Sequence, residues 1–481
     1  MTTEEFSELI KHYLPYAPNE QQQALIGALA RFCGRQPEQA VTRYRTFVLN
    51  GYAGTGKTSL TGALVKALRE QSMSVVLLAP TGRAAKVFSS YAGQRATTIH
   101  RRIYRHSMGA EFSGGRAPMQ DNTAKDTLFI VDEASMIGGG DEQGSNLLED
   151  LIHYVFAGEN CRLLLLGDTA QLPPVGSDFS PAMNTEVLRS YGLSVSHANL
   201  TATARQGSHS GILYNATTLR RHMRQNPLPL PLIITEGFSD VVAVNPEDLP
   251  EMIDGAYRRD GLEETVLITR SNRRAVEFNR AIRTEVLYYE EELRPDELLI
   301  VSRNNYHWAR GVKGLDFIAN GDILSVRRIY GTEARYGLRF ADVRLGFPDD
   351  AAPEFDAKIL LDSLHTDSVV MSRESYERLY YGLMNDRDLF EPTASAEERM
   401  RKLRTDPYWN ALIVKYAYAV TCHKAQGGQW KNVFVDLSYI PPESMGMDFY
   451  RWLYTAQTRA RSCLYLINPP VFKAEEGLKN E

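Results

Sequence analysis

The segment GYAGTGKT, residues 51–58, fits the phosphate-binding pattern G-x-x-x-x-G-K-[ST]. It directly follows the apolar run TFVLN and opens a run with leucines at helical spacing, which is the strand-to-helix context that the pattern requires. Glycines allow backbone N–H groups to close around phosphates at a helix N-terminus, where the helix dipole favours anions. We therefore predict a nucleotide site in which Lys57 contacts the β- and γ-phosphates and Thr58 is a ligand of Mg²⁺. The other nucleotide contacts predicted here are Gly51, Ala53, Gly54, Thr55 and Gly56 within the segment and Ser59 directly after it.

Two further apolar runs end in groups that suit hydrolysis of a phosphate bond. LFIVDEAS places Asp132 where it can join the Mg²⁺ shell and Glu133 where it can act as the general base that activates water. An Asp-Glu pair at a strand end is often a solvated loop, but after a phosphate-binding loop hydrolysis is the better interpretation. GDTAQLPPVG places Gln171 one loop beyond a third strand, where its amide can contact the γ-phosphate. The alternative is a solvent-facing amide on a proline-stiffened turn.

The N-terminal segment NEQQQAL supplies a candidate contact for the base of the nucleotide. A glutamine amide can make two hydrogen bonds to an adenine edge. Gln22 is the preferred candidate, Gln21 and Gln23 are alternatives, and a polar helix face is the ordinary explanation. The cofactors predicted for the chain are therefore ATP and Mg²⁺.

The segment TCHKAQGGQW places Cys422 beside His423 and raises three possibilities: a nucleophile, a metal site or a binding loop. Neighbours in sequence point in different directions, so adjacency alone does not make a catalytic pair. No carboxylate or asparagine in the flanking sequence completes a triad. The chain has four cysteines and no C-x-x-C pair, which indicates neither a zinc site nor a disulfide framework.

Short apolar runs alternate with helical stretches, which is typical of parallel sheets covered by helices on both faces. The predicted fold class is therefore α/β, with one group of strands before about residue 200 and another after about 235. Leu60, Leu64 and Leu68 are expected in the core of the helix after the first strand. The predicted strands lie at 46–50, 74–80, 127–135, 161–168, 265–270, 415–421, 432–437 and 462–467.

Composition limits the classes of function. Hydrophobic residues make up 43% of the 481-residue chain and charged residues 23%, as in ordinary globular proteins. The net charge is -5, so any nucleic-acid contact must use a local basic surface or polar and backbone groups. The acidic start MTTEEFSELIKHYLP does not resemble a signal peptide, and no run of about 18 apolar residues occurs, so we expect a cytoplasmic protein without a membrane span.

Eight short motifs occur in a fixed order: the phosphate-binding loop, APTGRAAK, TTIHR, VDEAS, GDTAQLPPVG, LTATARQ, VTCHKAQGGQW and YTAQTRAR. The ordered set resembles the superfamily 1 helicases of the 5′→3′ branch (1B), the RecD-like and phage Dda-like DNA helicases. The resemblance spans residues 19–467 with weak support in 286–410. It implies two RecA-like P-loop motor domains with parallel sheets, plus a small hairpin insert and an SH3-like β insert with a helical arm. The implied ranges are 1–100 with 127–204, the insert 101–126, then 205–285 with 411–481, and the insert 286–410.

The resemblance also assigns roles to residues outside the phosphate-binding loop. Arg205 and Arg459 match positions that reach the γ-phosphate, where a cation stabilises developing charge. Gln426 and Gly427 turn toward the nucleotide, while Cys422 occupies a variable position, so a thiol nucleophile is not expected. The residues implied to contact the nucleic-acid strand are Pro80, Thr81, Thr98, His100, Asn272, Thr421 and His423.

The insert 101–126 resembles the family's separation hairpin, with Tyr104, Met108 and Phe112 as residues that can stack on a terminal base pair and Gly114 and Gly115 as its turn. A disordered loop is the alternative. The segment IANGDILSV opens the β insert, and the helical runs after residue 370 form an arm without an assigned role.

The implied function is an ATP-dependent 5′→3′ DNA helicase that acts as a monomer on single-stranded and tailed duplex DNA. An RNA helicase or RNP remodeller and a non-translocating P-loop ATPase are the alternatives.

Overall fold

The computed structural model describes residues 2–34, 44–104, 118–140, 146–202, 210–315, 317–348, 353–368, 371–391, 394–438 and 440–469. These residues form two compact units. Unit 1 comprises the described residues of 2–234 and 441–458, and unit 2 comprises those of 235–440 and 459–469. This division does not test the domain ranges implied by the family resemblance, which remain a prediction.

The strands and helices are numbered in chain order. The strands are β1 Arg45–Gly51, β2 Ser74–Ala79, β3 Ala96–Thr98, β4 Thr127–Val131, β5 Arg162–Gly167, β6 Ser194–Leu200, β7 Val241–Val244, β8 Thr265–Thr269, β9 Leu298–Val301, β10 Ile323–Arg335, β11 Leu338–Gly346, β12 Phe355–Leu360, β13 Leu412–Tyr416, β14 Ala419–Thr421, β15 Trp430–Asp436 and β16 Ala460–Ile467. The helices are α1 Thr3–His12, α2 Glu20–Cys33, α3 Lys57–Glu70, α4 Gly82–Ala92, α5 Ile99–Ile103, α6 Leu147–Ala157, α7 Thr185–Ser190, α8 Gly211–His222, α9 Leu249–Asp260, α10 Asn272–Ala281, α11 Arg373–Met384, α12 Ala396–Leu403, α13 Cys422–Ala425 and α14 Met447–Gln457.

Unit 1 is built on a six-stranded parallel sheet in the order β3-β2-β4-β5-β1-β6. Both faces are covered: Phe47 and Leu49 of β1 join one buried cluster, and Val48 between them joins the other. Leu60, Leu64 and Leu68 of α3 are fully or almost fully buried in the first cluster, as predicted.

Side-chain caps start several helices of unit 1 at the edge of the sheet. Asn19 and Gln22 form a capping box at the start of α2, and Thr81 and Thr98 cap α4 and α5. Helix α3 differs, because its N-cap is Gly56 and no described side chain caps it. The first turn of α3 therefore keeps backbone N–H groups available for an anion.

Unit 2 combines a second parallel sheet with a closed barrel. The sheet has the order β14-β8-β15-β16-β7, and the barrel closes in the order β10-β11-β12-β13-β9. The pieces GDILSVRRIY and GLRFADVRLGF form the long hairpin β10–β11 of this barrel, and its SH3-like character remains a prediction.

One predicted strand is wrong in its extent. The run at 415–421, predicted as a single strand, is divided: β13 pairs with β9 of the barrel, and β14 pairs with β8 of the sheet. The chain changes partners at Ala417 and Tyr418, whose backbone groups bond to Leu298 and Leu267. Ala417 and Tyr418 are buried and neither is a typical turn residue, so the sequence does not mark the change. Strand β13 of the barrel therefore begins at Leu412.

The two charged helical runs form α11 and α12, as predicted, and pack on the barrel. Leu379 and Leu383 of α11 and Leu403 of α12 share a buried cluster with barrel residues Phe340 and Leu360. The arm is therefore part of the packed structure of unit 2. None of the helices that the structure describes is both long and apolar enough to cross a membrane.

Candidate nucleotide site and nucleic-acid interface

The candidate nucleotide groups of unit 1 lie at one edge of its sheet. In a parallel sheet, the loops after the carboxyl ends of the strands meet at the same edge. Strands β4, β5 and β1 are neighbours, so the loops that carry Asp132, Gln171 and the phosphate-binding segment are adjacent. This adjacency brings together three motifs that are well separated in sequence.

The phosphate-binding loop has a backbone that requires glycine. Gly54 and Gly56 have φ values of +77° and +81°, in the left-handed region that favours glycine. A Cβ atom on Gly54 would lie 2.8 Å from Leu213 Cδ2, so α8 also leaves no room for a side chain there. Within the loop, Thr55 Oγ1 donates to the Tyr52 carbonyl at 2.7 Å. The loop and the uncapped start of α3 form a preformed cradle for phosphates.

Lys57 and Asp132 face each other at this cradle. Lys57 Nζ lies 3.9 Å from Asp132 Oδ1, and both side chains are almost buried, at 12% and 11% exposure. Asp132 is held in place because Tyr91 Oη donates to Oδ2 at 2.5 Å and the Glu133 amide donates to Oδ1 at 2.9 Å. A fixed carboxylate together with the exposed Thr58 hydroxyl is an oxygen donor set of the kind that Mg²⁺ prefers, so these residues fit the ion.

Glu133 and Gln171 complete the group predicted to carry out hydrolysis. Glu133 has φ +53°, an uncommon conformation for a residue other than glycine and one that clusters at active sites. Gln171 is buried, and its Oε1 atom has no hydrogen-bond partner among the described residues. A buried acceptor without a partner is costly. A ligand or water that donates a hydrogen bond would satisfy it.

Three residues that the sequence analysis did not assign also lie at this site: Asp168, Arg220 and Tyr454. Asp168 is fully buried, which raises the pKa of its carboxyl, while the charge of Lys57 opposes that shift most strongly. Arg220 of α8 is buried and stacks its guanidinium over the Tyr52 ring, 4.3 Å from the ring centre. Asp168 and Tyr454 belong to two of the sequence motifs quoted above, so their positions in those motifs could have indicated a role at the site. Arg220 belongs to the basic end of a helix, which in sequence resembles a solvated surface.

Gln22, the candidate for adenine, contacts the phosphate-binding loop in this structure. Its Nε2 atom donates to the Thr55 carbonyl at 3.0 Å, and its Oε1 atom accepts from the Asn19 amide at 3.1 Å. The alternative Gln21 accepts from the amides of Thr201 and Ala202, both at 3.0 Å. Gln22 therefore links α2 to the nucleotide loop, and its contact with the base remains a prediction.

The strand-contacting candidates of unit 1 lie at the ends of two neighbouring strands. Pro80 and Thr81 follow β2 and Thr98 ends β3, with Ala79 and Thr98 paired. The Thr81 and Thr98 hydroxyls cap helices, and Thr98 is buried, whereas His100 is exposed. Of these residues, His100 offers the most accessible side chain for a nucleic acid.

The candidates of unit 2 come together at the corresponding edge of the second sheet. Thr421 ends β14 and is paired with Thr269, the last residue of β8, which Asn272 follows at the start of α10. Asn272 and Thr421 line one cleft, together with Lys415 and Lys424 and the barrel segment 364–368. Burial, followed by the charge of Lys424, lowers the pKa of Lys415 to about 8.

The TCHKAQGG segment separates its side chains as the sequence argument expected. His423 is exposed and Cys422 is buried, and burial raises the pKa of the Cys422 thiol to about 12. A protonated, buried thiol is a poor nucleophile. Gln426 is buried and Gly427 has φ +73°. Within the described residues, no group of three or more His, Cys, Asp or Glu side chains could hold a metal ion.

The remaining predicted residues either lie outside the described residues or contact other parts of the protein. Arg205 lies outside the described residues, as do Met108, Phe112, Gly114 and Gly115. Arg459 is buried in unit 2 and its Nη1 atom donates to the Gly428 carbonyl at 3.4 Å. At the base of the 101–126 insert, Tyr104 pairs with Met119 in an antiparallel bridge and donates to Asp150 at 2.6 Å. Tyr104 therefore anchors the base of this segment.

Comparison with known proteins agrees with the sequence motifs. Residues 36–226 match the AAA domain family, and residues 416–467 match the UvrD-like helicase C-terminal domain. An ATP-dependent RecD2 DNA helicase of Deinococcus radiodurans is 36% identical over 132 residues, which are 27% of this chain and 16% of that protein. The ATP-dependent DNA helicase Dda of enterobacteria phage T4 is 24% identical over 442 residues, which are 87% of this chain and 93% of Dda.

Coverage and structural similarity define the extent of these likenesses. The chain spans only 16% of the RecD2 helicase and 37% of an uncharacterized protein of Methanocaldococcus jannaschii. A solved Pif1 helicase from Bacteroides, in complex with ADP-AlF3 and ssDNA, shares 14% identity over 94% of this chain and 93% of that one, with a TM-score of 0.47.

The phosphate-binding loop, the acidic strand end and the two parallel sheets define a P-loop protein of the α/β class. The two family matches and the likeness to RecD2 and Dda are more specific. The chain is therefore similar to ATP-dependent DNA helicases of the RecD2 and Dda kind, with an AAA domain match at residues 36–226 and a UvrD-like helicase C-terminal match at residues 416–467.

Proposed function

We propose that the protein is an ATP-dependent 5′→3′ DNA helicase that couples ATP hydrolysis to movement on single-stranded DNA and to duplex unwinding. The observation that carries the proposal is the meeting, at one edge of the unit 1 sheet, of the phosphate cradle, Asp132, Glu133 and Gln171. The choice of DNA rests on similarity to Dda, an ATP-dependent DNA helicase, along most of both chains, and the 5′→3′ direction rests on the order of the motifs.

In this proposal each group of the nucleotide site has a separate role. Lys57 and the backbone N–H groups of the loop hold the phosphates, and Thr58 and Asp132 hold Mg²⁺. Mg²⁺ bound with ATP neutralises charge on the β- and γ-phosphates. Glu133 accepts a proton from the attacking water, and the Gln171 amide orients that water against the γ-phosphate.

Arg205 and Arg459 are proposed to stabilise the charge that spreads over the γ-phosphate oxygens during hydrolysis. An arginine carried by a second domain makes hydrolysis depend on closure of the two domains. Such dependence is what couples chemistry to movement along a strand. The strand itself is proposed to contact Pro80, Thr81, Thr98, His100, Asn272, Thr421 and His423.

The decisive experiment compares unwinding of duplexes with a 5′ tail, a 3′ tail and no tail, with ATP and Mg²⁺ present. We expect unwinding from the 5′ tail only, and ATPase activity that single-stranded DNA stimulates more than RNA does. Stimulation by RNA alone would favour the RNA helicase reading, and turnover independent of nucleic acid would favour a P-loop ATPase that does not translocate. Light scattering during size-exclusion chromatography tests the proposed monomer.

Lys57→Ala connects this activity to the described site. We expect the variant to lose ATP hydrolysis, by about 10²–10³-fold, while its affinity for single-stranded DNA stays close to that of the parent. Lys66→Ala is the matched control, because Lys66 lies exposed on the same helix α3. Retention of DNA-stimulated ATPase in Lys57→Ala would remove the nucleotide site from these residues.

A further inference from the structure

The hydroxyl of Tyr454, on α14, bonds to two loops of the nucleotide edge. The Ala53 backbone N–H, in the phosphate-binding loop, donates to Tyr454 Oη at 3.0 Å. Tyr454 Oη in turn donates to Asp168 Oδ2 at 2.7 Å. The Tyr454 side chain is completely buried. One buried oxygen therefore links the loop after β1 to the loop after β5.

The next residue of α14 makes a second contact with the same edge. Thr455 Oγ1 accepts from the Leu172 amide at 2.9 Å, and Leu172 directly follows Gln171, whose amide oxygen has no hydrogen-bond partner among the described residues. Arg451, one turn earlier, donates to the Asp178 carbonyl farther along the same loop. Helix α14 is thus bonded along its length to the two loops predicted to hold and to sense the γ-phosphate.

The protonation of this cluster favours a fixed arrangement. Burial and the neighbouring Asp168 carboxylate hold the pKa of Tyr454 well above its ordinary value, so the phenol keeps its proton. As long as it is protonated, it can accept from Ala53 and donate to Asp168 at the same time. A phosphate that enters the cradle competes with Tyr454 Oη for the N–H groups of the loop, including that of Ala53.

Helix α14 also has a meaningful place in the sequence. It ends at Gln457, and Arg459, the residue proposed to act on the γ-phosphate, follows two positions later. Between Thr458 and Arg459 the chain passes from unit 1 to unit 2. Only Thr458 separates the end of α14 from Arg459.

We propose that Tyr454 is a positioning residue that transmits the occupancy of the phosphate-binding loop to α14, and through α14 to Arg459. The inference deepens the proposed function and rests on it for the role of Arg459. When phosphate takes up the Ala53 N–H, the Tyr454 hydroxyl keeps only its bond to Asp168, and α14 is released from the loop. Turnover then depends on this exchange, whereas nucleotide binding itself does not need the hydroxyl.

Tyr454→Phe tests the inference, because it removes both hydrogen bonds and keeps the buried ring. We expect the turnover number for ATP to fall about 10-fold, as for the loss of two ordinary hydrogen bonds, while ATP affinity stays the same or becomes tighter because the Ala53 N–H is freed. Tyr450→Phe is the matched control: Tyr450 lies one turn earlier on α14, is equally buried and donates to the Pro229 carbonyl at 2.7 Å. Its turnover should stay within about twofold of the parent.

Two outcomes would overturn the role of Tyr454. One is weaker ATP binding in proportion to the loss of turnover, which indicates damage to the site. The other is a turnover number for Tyr454→Phe that equals that of Tyr450→Phe. Thr455→Val provides an independent variant in case Tyr454→Phe does not fold; it should lower turnover by a smaller factor, again without loss of ATP affinity. Unchanged turnover in Thr455→Val would then count against the inference.

The same measurements keep the two proposals apart. If the parent protein hydrolyses ATP without stimulation by single-stranded DNA, the helicase proposal fails. The positioning role is then still tested by whether Tyr454→Phe lowers the turnover number without weakening ATP affinity. If the parent is stimulated and Tyr454→Phe matches it, only the positioning role fails.

Discussion

The hydrolytic candidates of unit 1 and the strand-contacting candidates of unit 2 lie at equivalent sheet edges but differ in exposure. In unit 1, Asp132, Asp168 and Gln171 are buried. In unit 2, His423 is exposed and Asn272 is half-buried. Stabilising charge on a phosphate requires groups fixed in a dry site, where electrostatic interactions are strong. A strand that must slide past requires groups that it can reach and leave. The same strand-and-loop architecture can therefore serve either purpose, depending on how deeply the loop side chains are buried.

Among the substitutions that test this comparison, we expect those of the two arginines to change ATP turnover most. Arg459→Ala and Arg205→Ala should each lower the turnover number for ATP by about 10³–10⁵-fold, because an arginine finger stabilises charge that develops only in the transition state. ATP affinity, measured by calorimetry, should change little. Arg461→Ala is the control for Arg459→Ala, since Arg461 lies nearby with an ion pair to Glu264. Normal turnover in either arginine variant would return that arginine to a structural role.

The next effect concerns the division of labour between the two carboxylates of unit 1. Glu133→Gln should lower turnover by about 10²–10⁴-fold, because it removes the general base and leaves the Asp132 ligand in place. Affinity for ATP with Mg²⁺ should be retained. Glu149→Gln on α6, where the side chain is exposed, should behave like the parent. If ATP affinity collapses while turnover is preserved, the roles assigned to Asp132 and Glu133 are wrong.

The segment proposed to separate the DNA strands can be tested independently of the loop edges of the two sheets. Replacing residues 106–118, almost all of which lie outside the described residues, with a short Gly/Ser link should remove most unwinding from a 5′ tail. DNA-stimulated ATPase should be nearly intact. Stacking on a base contributes about 1–3 kcal/mol, which is comparable with about 1.4 kcal/mol for stacking of a base-pair step. Unwinding equal to that of the parent would make the segment an ordinary loop.

A smaller effect is expected at the edge of unit 2. Asn272→Ala and His423→Ala should each weaken binding of single-stranded DNA about 3- to 10-fold, the range of one or two ordinary hydrogen bonds, without changing ATP affinity. Fluorescence anisotropy with a labelled oligonucleotide measures this change. Asn320→Ala, an exposed asparagine in the same unit, is the control. If all three variants bind DNA equally, the strand does not pass this edge.

The smallest effect is expected for Cys422. Cys422→Ala should leave turnover within about threefold, because a buried thiol whose pKa is raised to about 12 remains protonated at neutral pH. A thiol-reactive probe at pH 7 should label Cys463, which is half-buried, before Cys422, which is fully buried. Rapid labelling of Cys422 with loss of ATPase activity would reopen the nucleophile interpretation.

The sequence predicted features that depend on a few neighbouring residues, and it missed features that depend on residues far apart in the chain. The phosphate-binding loop, the strand ends at Asp132 and Gln171 and the buried leucines of α3 are local patterns, and the structure contains the elements in which they were placed. The bond between Ala53 and Tyr454 joins residues 401 positions apart, so no local pattern indicates it. The division of the 415–421 run was missed for a related reason: pairing partners elsewhere in the chain, rather than its own composition, decide which sheet each half joins.

The change of partners between β13 and β14 has a consequence for folding. Leu267 of β8 and Ala419 of β14 are paired although 152 positions separate them, so direct pairing must close a very long loop. When the barrel closes, Leu299 pairs with Tyr416. The path from Leu267 to Ala419 then runs over 32 positions to Leu299 and three positions from Tyr416, so the loop that remains to be closed is about fourfold shorter. Shortening a loop fourfold lowers the entropic cost of closing it by about 1.2 kcal/mol. We therefore expect the barrel to form first and the second sheet to assemble on it, with the order of folding opposite to the order in which β8 and β9 leave the ribosome.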